Sequence, residues 1–318
     1  MWDCVYGETV PQTLTTTGSA LAHRAASSIA TAGASVGQAT VERLAGSGVP
    51  AARAIGARPH DIRPHTRESP NLRDGQFANT EPADPGDDAG FGIFMDMVRR
   101  PGNPKSPVRV ENPAFAPTPG EIAVHWLGHA SALVELDGRR ILTDPVFSRR
   151  CSPSQLVGPA RMHPSPVTVA DLPAIDVVLI SHDHYDHLDM QTIIELGVRQ
   201  PSARFVAPIG VGAHLQAWGI AADRISQADW WGTVELDLDG VPMTFACCPT
   251  RHFSGRWLIR NLTQWASWSV LGPRHRFFFS GDTGFTEKFD EVGDRYGPFD
   301  LTLIAVGAYD PVWPELHV

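Results

Sequence analysis

One nine-residue stretch, SHDHYDHLD at 181–189, limits what this chain can fold into more than any other feature. It is entered directly from DVVLI at 176–180, and a short apolar run of that kind reads as a strand buried on both faces. Ionisable groups crowded against the edge of a core are costly there unless they compensate one another or share a cation. In an extended segment His182 and His184 project to the same side, so their imidazoles can converge on one metal. Asp186 and His187 then offer a second pair. A polar turn of solvated histidines is the bland alternative, and the density of ionisable side chains at the strand end argues against it.

A metal centre needs ligands from elsewhere in the chain, and two candidates end predicted strands: His252 in CCPTRHFSG and Asp282 in FFFSGDTG. A strand closing on Gly-Asp-Thr-Gly delivers a carboxylate with little backbone obstruction, and a carboxylate bridges two cations where a neutral imidazole cannot. Asp282 is therefore the expected bridge, and as a catalytic residue it would position the attacking water. Imidazole with carboxylate suits Zn2+ first, with iron or manganese fitting the same sphere. Two such ions roughly 3.5–4 Å apart would bring a bridging water to a near-neutral pKa and polarise a carbonyl or phosphoryl oxygen, so no protein nucleophile is required. The expected reaction class is hydrolysis by a metal-bound hydroxide.

At 318 residues and 42% hydrophobic, the chain can bury a sizeable core as one large α/β domain with an appendage. Residues 1–110 read as a poorly structured or arm-like extension. Its Ala-rich stretch at 18–58 suggests a loose helix, and the Pro, Asn, Asp and Gly crowding from 59 to about 120 suggests an extended arm docked by FGIFMDMV at 91–98. Residues 111–318 carry the patterned domain. Asp137-Gly138 and Asp239-Gly240 each separate two alternating runs, a hairpin signal. DVVLIS, RFVAPIG, WASWSVLG, RFFFSGDTG and FDLTLIAVG read as strands, with MQTIIELGVRQ, GAHLQAWG and FTEKFDEVGDRY as helices.

The net charge of -9 argues against a nucleic-acid partner and against simple adsorption to anionic lipid. Cys4, Cys151, Cys247 and Cys248 form no disulfide framework, and the adjacent pair would alternate faces of a strand. They read as small core residues in a reducing compartment, which favours the cytoplasm. The sequence has no apolar run of about 18 residues and no secretory leader pattern at its start. Any contact with a membrane is expected to be peripheral.

The motif at 182–187 resembles the H-x-H-x-D-H signature of the metallo-β-lactamase superfamily, which implies a four-layer αβ/βα sandwich. The segments WLGHASALVELDGRRILTDPVFS, SPSQLVGPAR, LISHDHYDHLD, WASWSVLGPRHRFFFSGDTGF and RYGPFDLTLIAVGAYDPVW are similar to N-acyl-phosphatidylethanolamine-hydrolysing phospholipase D and its bacterial relatives, over about 121–318. By that resemblance His182, His184 and His252 would hold one zinc, Asp186 and His187 the other, and Asp282 would bridge them. His317 would stand near the substrate phosphate as a catalytic residue. The resemblance also implies a later histidine, before Trp-Gly, that completes the second site. This sequence stops before it, so the second half of the sandwich is expected to be incomplete. The implied substrate is a phospholipid or another small ester.

Several positions stay open on sequence. Asp144 in LTDP and His129 in LGHA are either partners of the ligands or local turn residues. Asp183 and Tyr185 shape the loop, and Asp189 is placed to cap the following helix. Trp230, Trp231 and Trp257 are either core or the lining of an acyl groove. Two further readings compete with the phosphodiesterase: a hydrolase of another ester such as a lactone, and an inactive fragment that keeps the fold. Oligomeric state is not legible in the sequence.

Overall fold

The computed structural model describes residues 50–81, 108–256, 259–307 and 316–317. The FGIFMDMV island, Cys4 and Trp257 lie outside the described residues. The helices are α1 (Pro50–Arg53), α2 (Pro59–Thr66), α3 (Met190–Arg199), α4 (Val211–Ala217) and α5 (Lys288–Tyr296). The strands of the two main sheets are β1 (Ile122–Gly128), β2 (Ser131–Leu136), β3 (Arg139–Thr143), β4 (Val177–Leu179), β5 (Arg204–Pro208), β6 (Ile225–Ala228), β7 (Thr233–Leu238), β8 (Val241–Cys248), β9 (Ser267–Leu271), β10 (Arg276–Phe279) and β11 (Leu301–Leu303).

The first sheet has six strands in the order β1-β2-β3-β4-β5-β6, antiparallel through β3 and parallel from there. The second has five in the order β11-β10-β9-β8-β7, antiparallel except for the β10/β11 pair. Both hairpin turns fall where the Asp-Gly pairs predict them. Asp137 and Gly138 have φ of 50° and 80°, Asp239 and Gly240 47° and 82°, the left-handed pair that matches strand twist in a two-residue turn.

Alternation along each strand builds the layers. Val177 and Leu179 of β4 face the second sheet, meeting Phe245, Cys247, Trp268, Phe277 and Phe279 in one core. Val178 and the following Ile180 face the other way, onto Leu188, Ile193 and Leu196 around α3 and onto Val211 and Leu215 of α4. On the far side of the second sheet Phe278 and Cys248 meet Val292 of α5. The chain is thus an αβ/βα sandwich. Cys247 and Cys248 point into different cores, as their adjacency in a strand requires.

α1 falls in the Ala-rich stretch read as helix, whereas residues 59–81 differ from the extended arm expected of their composition. α2 forms despite Pro64 inside it, and a short ladder pairs Leu72–Arg73 with Gln76–Phe77. The reason is tertiary: Ile62 is buried with Ala57 and Ala213, Ala54 enters the core beside α4, and Phe77 is buried in the inter-sheet core. Burial of these side chains outweighs local propensity, which is a weak prior. The strand β6 and a small ladder of Gly255–Arg256 with Ile259–Arg260 were not predicted.

Candidate metal centre

Separate elements bring the candidate ligands to one edge of the sandwich. His182, His184, Asp186 and His187 follow β4, His252 follows β8, and Asp282 follows β10. The loop after β4 is folded back by the carbonyl of His184, which accepts from the N–H groups of His187 (3.1 Å) and Leu188 (2.8 Å). Asp189 ends it by capping α3, its carboxylate accepting from the Gln191 N–H at 3.3 Å.

His182 Nε2 and His184 Nδ1 stand 2.9 Å apart, and His252 Nε2 is 3.3 Å from the same His184 atom. Asp282 Oδ2 lies 3.0 Å from His187 Nε2 and 3.9 Å from His252 Nε2, between the two sets. Asp186 Oδ2 is 3.9 Å from His187 Nε2. Donor atoms about 2.1 Å from a tetrahedral zinc are about 3.4 Å from one another, so spacings of this order fit a pair of cations sharing one carboxylate.

Two residues left open by the sequence are drawn into this cluster. His129, at φ 51° between β1 and β2, places Nε2 3.2 Å from Asp186 Oδ2 and 3.3 Å from His187 Nε2. It thereby offers a further donor beside the second pair. Asp144, fully buried at the end of β3, accepts from the Ser181 N–H (2.7 Å) and from His187 Nδ1 (2.7 Å). His317 also arrives, its ring 5.2 Å from that of His252 and its donor atom grouped with those of His252 and Asp282. Of the tryptophans left open, Trp230 is core, buried against Phe77 and Trp265, and Trp231 lies under the Arg295 guanidinium at 4.1 Å.

Hydrogen-bond partners assign the ring protons. The Ser181 hydroxyl donates to Asp144 Oδ2, so it accepts from His182 Nδ1 at 2.9 Å. Asp144 takes the Nδ1 proton of His187, and the Leu316 carbonyl takes that of His252 at 3.2 Å. The Nε2 lone pairs of His182 and His252 therefore converge on the same small volume that His187 Nε2 and Asp282 Oδ2 enter from the other side. Lone pairs and carboxylates facing one another at these distances suit a cation between them.

The electrostatics agree. Burial holds His182 well below the usual imidazole range, aided by the neighbouring histidines, and holds His252 down to about 3. His184 is lowered by burial too. These rings are neutral, the form that binds a metal. His187 behaves oppositely: burial opposes its charge, but Asp282, Asp186 and Asp144 outweigh burial and raise it well above the usual value. Burial likewise opposes charge on Asp282 and Asp186, yet His187 keeps both carboxyls below the ordinary range. A proton on His187 takes the place of the positive charge that this cluster of carboxylates demands.

The chain is similar to several known proteins. An uncharacterized protein of Mycobacterium tuberculosis is 48% identical over 278 residues, covering 85% of this chain and 73% of that protein. The N-acyl-phosphatidylethanolamine-hydrolyzing phospholipase D 1 of Caenorhabditis elegans is 39% identical over 193 residues, which are 59% of this chain and 54% of the worm protein. This chain therefore matches about half the length of that enzyme. Among solved structures, a metallo hydrolase of the archaeon Ignicoccus hospitalis is 21% identical over 61% of this chain and 73% of its own, with a TM-score of 0.48. The Beta-lactamase superfamily domain matches residues 139–318, a span that contains His182, His184, Asp186, His187, His252 and Asp282. With more than half of its length in that match, the chain belongs to the β-lactamase superfamily.

Proposed function

We propose that the chain is a metal-dependent hydrolase that holds two Zn2+ and cleaves phosphodiesters of N-acyl-phosphatidylethanolamine-like lipids. The observation that carries this reading is the pair of donor sets meeting at Asp282, whose Oδ2 is 3.0 Å from His187 Nε2 and 3.9 Å from His252 Nε2. His182, His184 and His252 would hold one ion, and Asp186, His187 and the neighbouring His129 the other. When bound, two such cations supply an acidified water and a positive charge for a phosphoryl oxygen. The chain's own side chains set the rest. Asp144 and Ser181 fix which nitrogens of His187 and His182 face inward. Asp282, held ionised, would orient the attacking water by accepting its hydrogen bond, and His317, grouped with His252 and Asp282, would donate to an oxygen of the substrate phosphate.

The lipid substrate is supported by what the worm enzyme and a 30% identical yeast protein of the same description are named for. Exposed apolar side chains adjoin the centre. Trp126, whose Nε1 donates to the His129 carbonyl, is 65% exposed, and Phe285, three residues beyond Asp282, is 66% exposed. These fit peripheral contact with a lipid surface, and no helix among the described residues is long and apolar enough to cross a membrane. The test is hydrolysis of a synthetic N-acyl-phosphatidylethanolamine in mixed micelles by the zinc-loaded chain, beside a soluble phosphodiester and a lactone. Chelator-sensitive release of the N-acylethanolamine, with the phosphate left on the diacylglycerol as phosphatidic acid, is the expected result. Turnover of the lactone with neither phosphodiester touched would overturn the substrate assignment.

A further inference from the structure

We infer that the backbone of residues 54–57 is a strap that fixes the metal-binding loop, acting through Arg256 and His214, and that Arg256 is a positioning residue for that loop. The inference rests on the metal-binding reading above. Arg256 is a buried arginine, 4% exposed, and its hydrogen bonds all go to backbone carbonyls. Nε donates to Ala54 (3.2 Å) and Ile55 (3.1 Å), and Nη2 to Ala54 again (2.6 Å). Nη1 donates to Asp183 (2.6 Å) and Leu188 (3.0 Å). One guanidinium thus ties a segment some two hundred residues upstream to both ends of the loop that carries His184, Asp186 and His187, while its face stacks 4.1 Å from the ring of Tyr185 inside that loop. A planar fork with five donors suits this task, and a lysine ammonium, with three donors on one atom, does not.

His214 makes the second tie. Its Nδ1 accepts from the Ala57 N–H at 2.9 Å, so the ring proton sits on Nε2, which faces Asp183 Oδ2 at 3.3 Å. Asp183 stands between His182 and His184 and is buried, and its carboxylate accepts from the Gly255 N–H (2.6 Å) and the Thr263 hydroxyl (2.8 Å) while lying in ion-pair range of His214. The strap runs so close to this ring that Gly56, at φ +92°, has no room for a side chain: a Cβ there would fall 2.2 Å from His214 Nδ1. The indole of Trp218 adds a bond to the Arg53 carbonyl at 2.8 Å. Asp183 and Tyr185 lie between the ligands of the motif, and the strap holds both of them. Orientation of the ligands then depends on residues 54–57, which contribute no donor atom to the cluster.

The test uses the full chain and three variants, Arg256→Lys, Gly56→Ala and, as a control on the far side of the second sheet, Val292→Ala. Zinc and cobalt(II) affinities are measured by competition with a chromophoric chelator, well below the melting temperature of each variant, and the visible absorption of the cobalt(II) form reports ligand geometry. Arg256→Lys and Gly56→Ala should each weaken affinity about 10–100-fold, the range for lost support of a ligand, and shift the cobalt bands. Val292→Ala should lower the melting temperature and leave both readouts unchanged. The inference is overturned if the two strap variants lose only thermal stability, or if the control moves affinity as much as they do. An unchanged chain that binds neither ion would instead sink the metal-binding reading itself.

Discussion

Asp144 supports the candidate centre from behind, through its bonds with Ser181 and His187. It is fully buried, and burial raises its carboxyl against the opposing bonds from His187 and Ser181. Through Ser181 and His187 it sets the ring protons of two ligands, so Asp144→Asn, which removes one acceptor and adds a donor, should weaken metal binding about 10–100-fold with the fold intact, as read by chelator competition. His129→Ala should selectively lower occupancy of the second metal position, because His129 is the donor that adjoins Asp186; equal loss from both positions would contradict its placement. The gathering of the motif residues with His252 and Asp282 at one edge was legible in the sequence because they end recognisable strands. Asp144 and His129 were visible only as polar residues near strand ends, because their partners come from chain segments 43 and 58 residues away. Arg256 gave no local signal at all, since its partners are carbonyls that every residue carries.

At the scale of elements, the turn between β2 and β3 does more than reverse the chain. Asp137 accepts from His275 Nδ1 (2.6 Å) and from the Arg274 N–H (2.8 Å), joining this turn of the first sheet to the β9–β10 turn of the second. Burial opposes its ionisation, yet the bonds from Arg274 and His275 leave the carboxyl below its usual value. A carboxyl lowered on folding contributes stability above its unfolded pKa, near 3.9, and loses it as pH falls through the lower folded value. Asp137→Asn, which retains the residue type tolerated at φ 50°, should therefore cost about 1.5–3 kcal/mol in urea unfolding at neutral pH. The difference from the unchanged chain should vanish in strong acid; a gap that persists there would show that charge is not the cause. The Asp-Gly turns and the buried strands were readable because turn chemistry and alternation are local. The helix α2 was not, because Pro64 and the polar residues around it hide a segment ordered by contact with Ala57, Ala213 and Leu262.

For the whole molecule, two sheets pressed face to face bring loops from both halves to one edge, and the centre is assembled from β1, β3 and β4 of one sheet with β8 and β10 of the other. On the proposed reading, folding and metal binding are coupled. An ion bound only by the folded chain at about a thousand times its Kd adds about 4 kcal/mol, so a chelator should lower the melting temperature and added zinc should restore it. The most direct test of the dinuclear reading is elemental analysis of the purified chain beside Asp282→Ala. About two transition-metal equivalents per chain, chiefly zinc, falling to one or fewer when the shared carboxylate is removed, is the expected result. An unchanged chain without bound transition metal, or an Asp282→Ala chain with undiminished content, would contradict it.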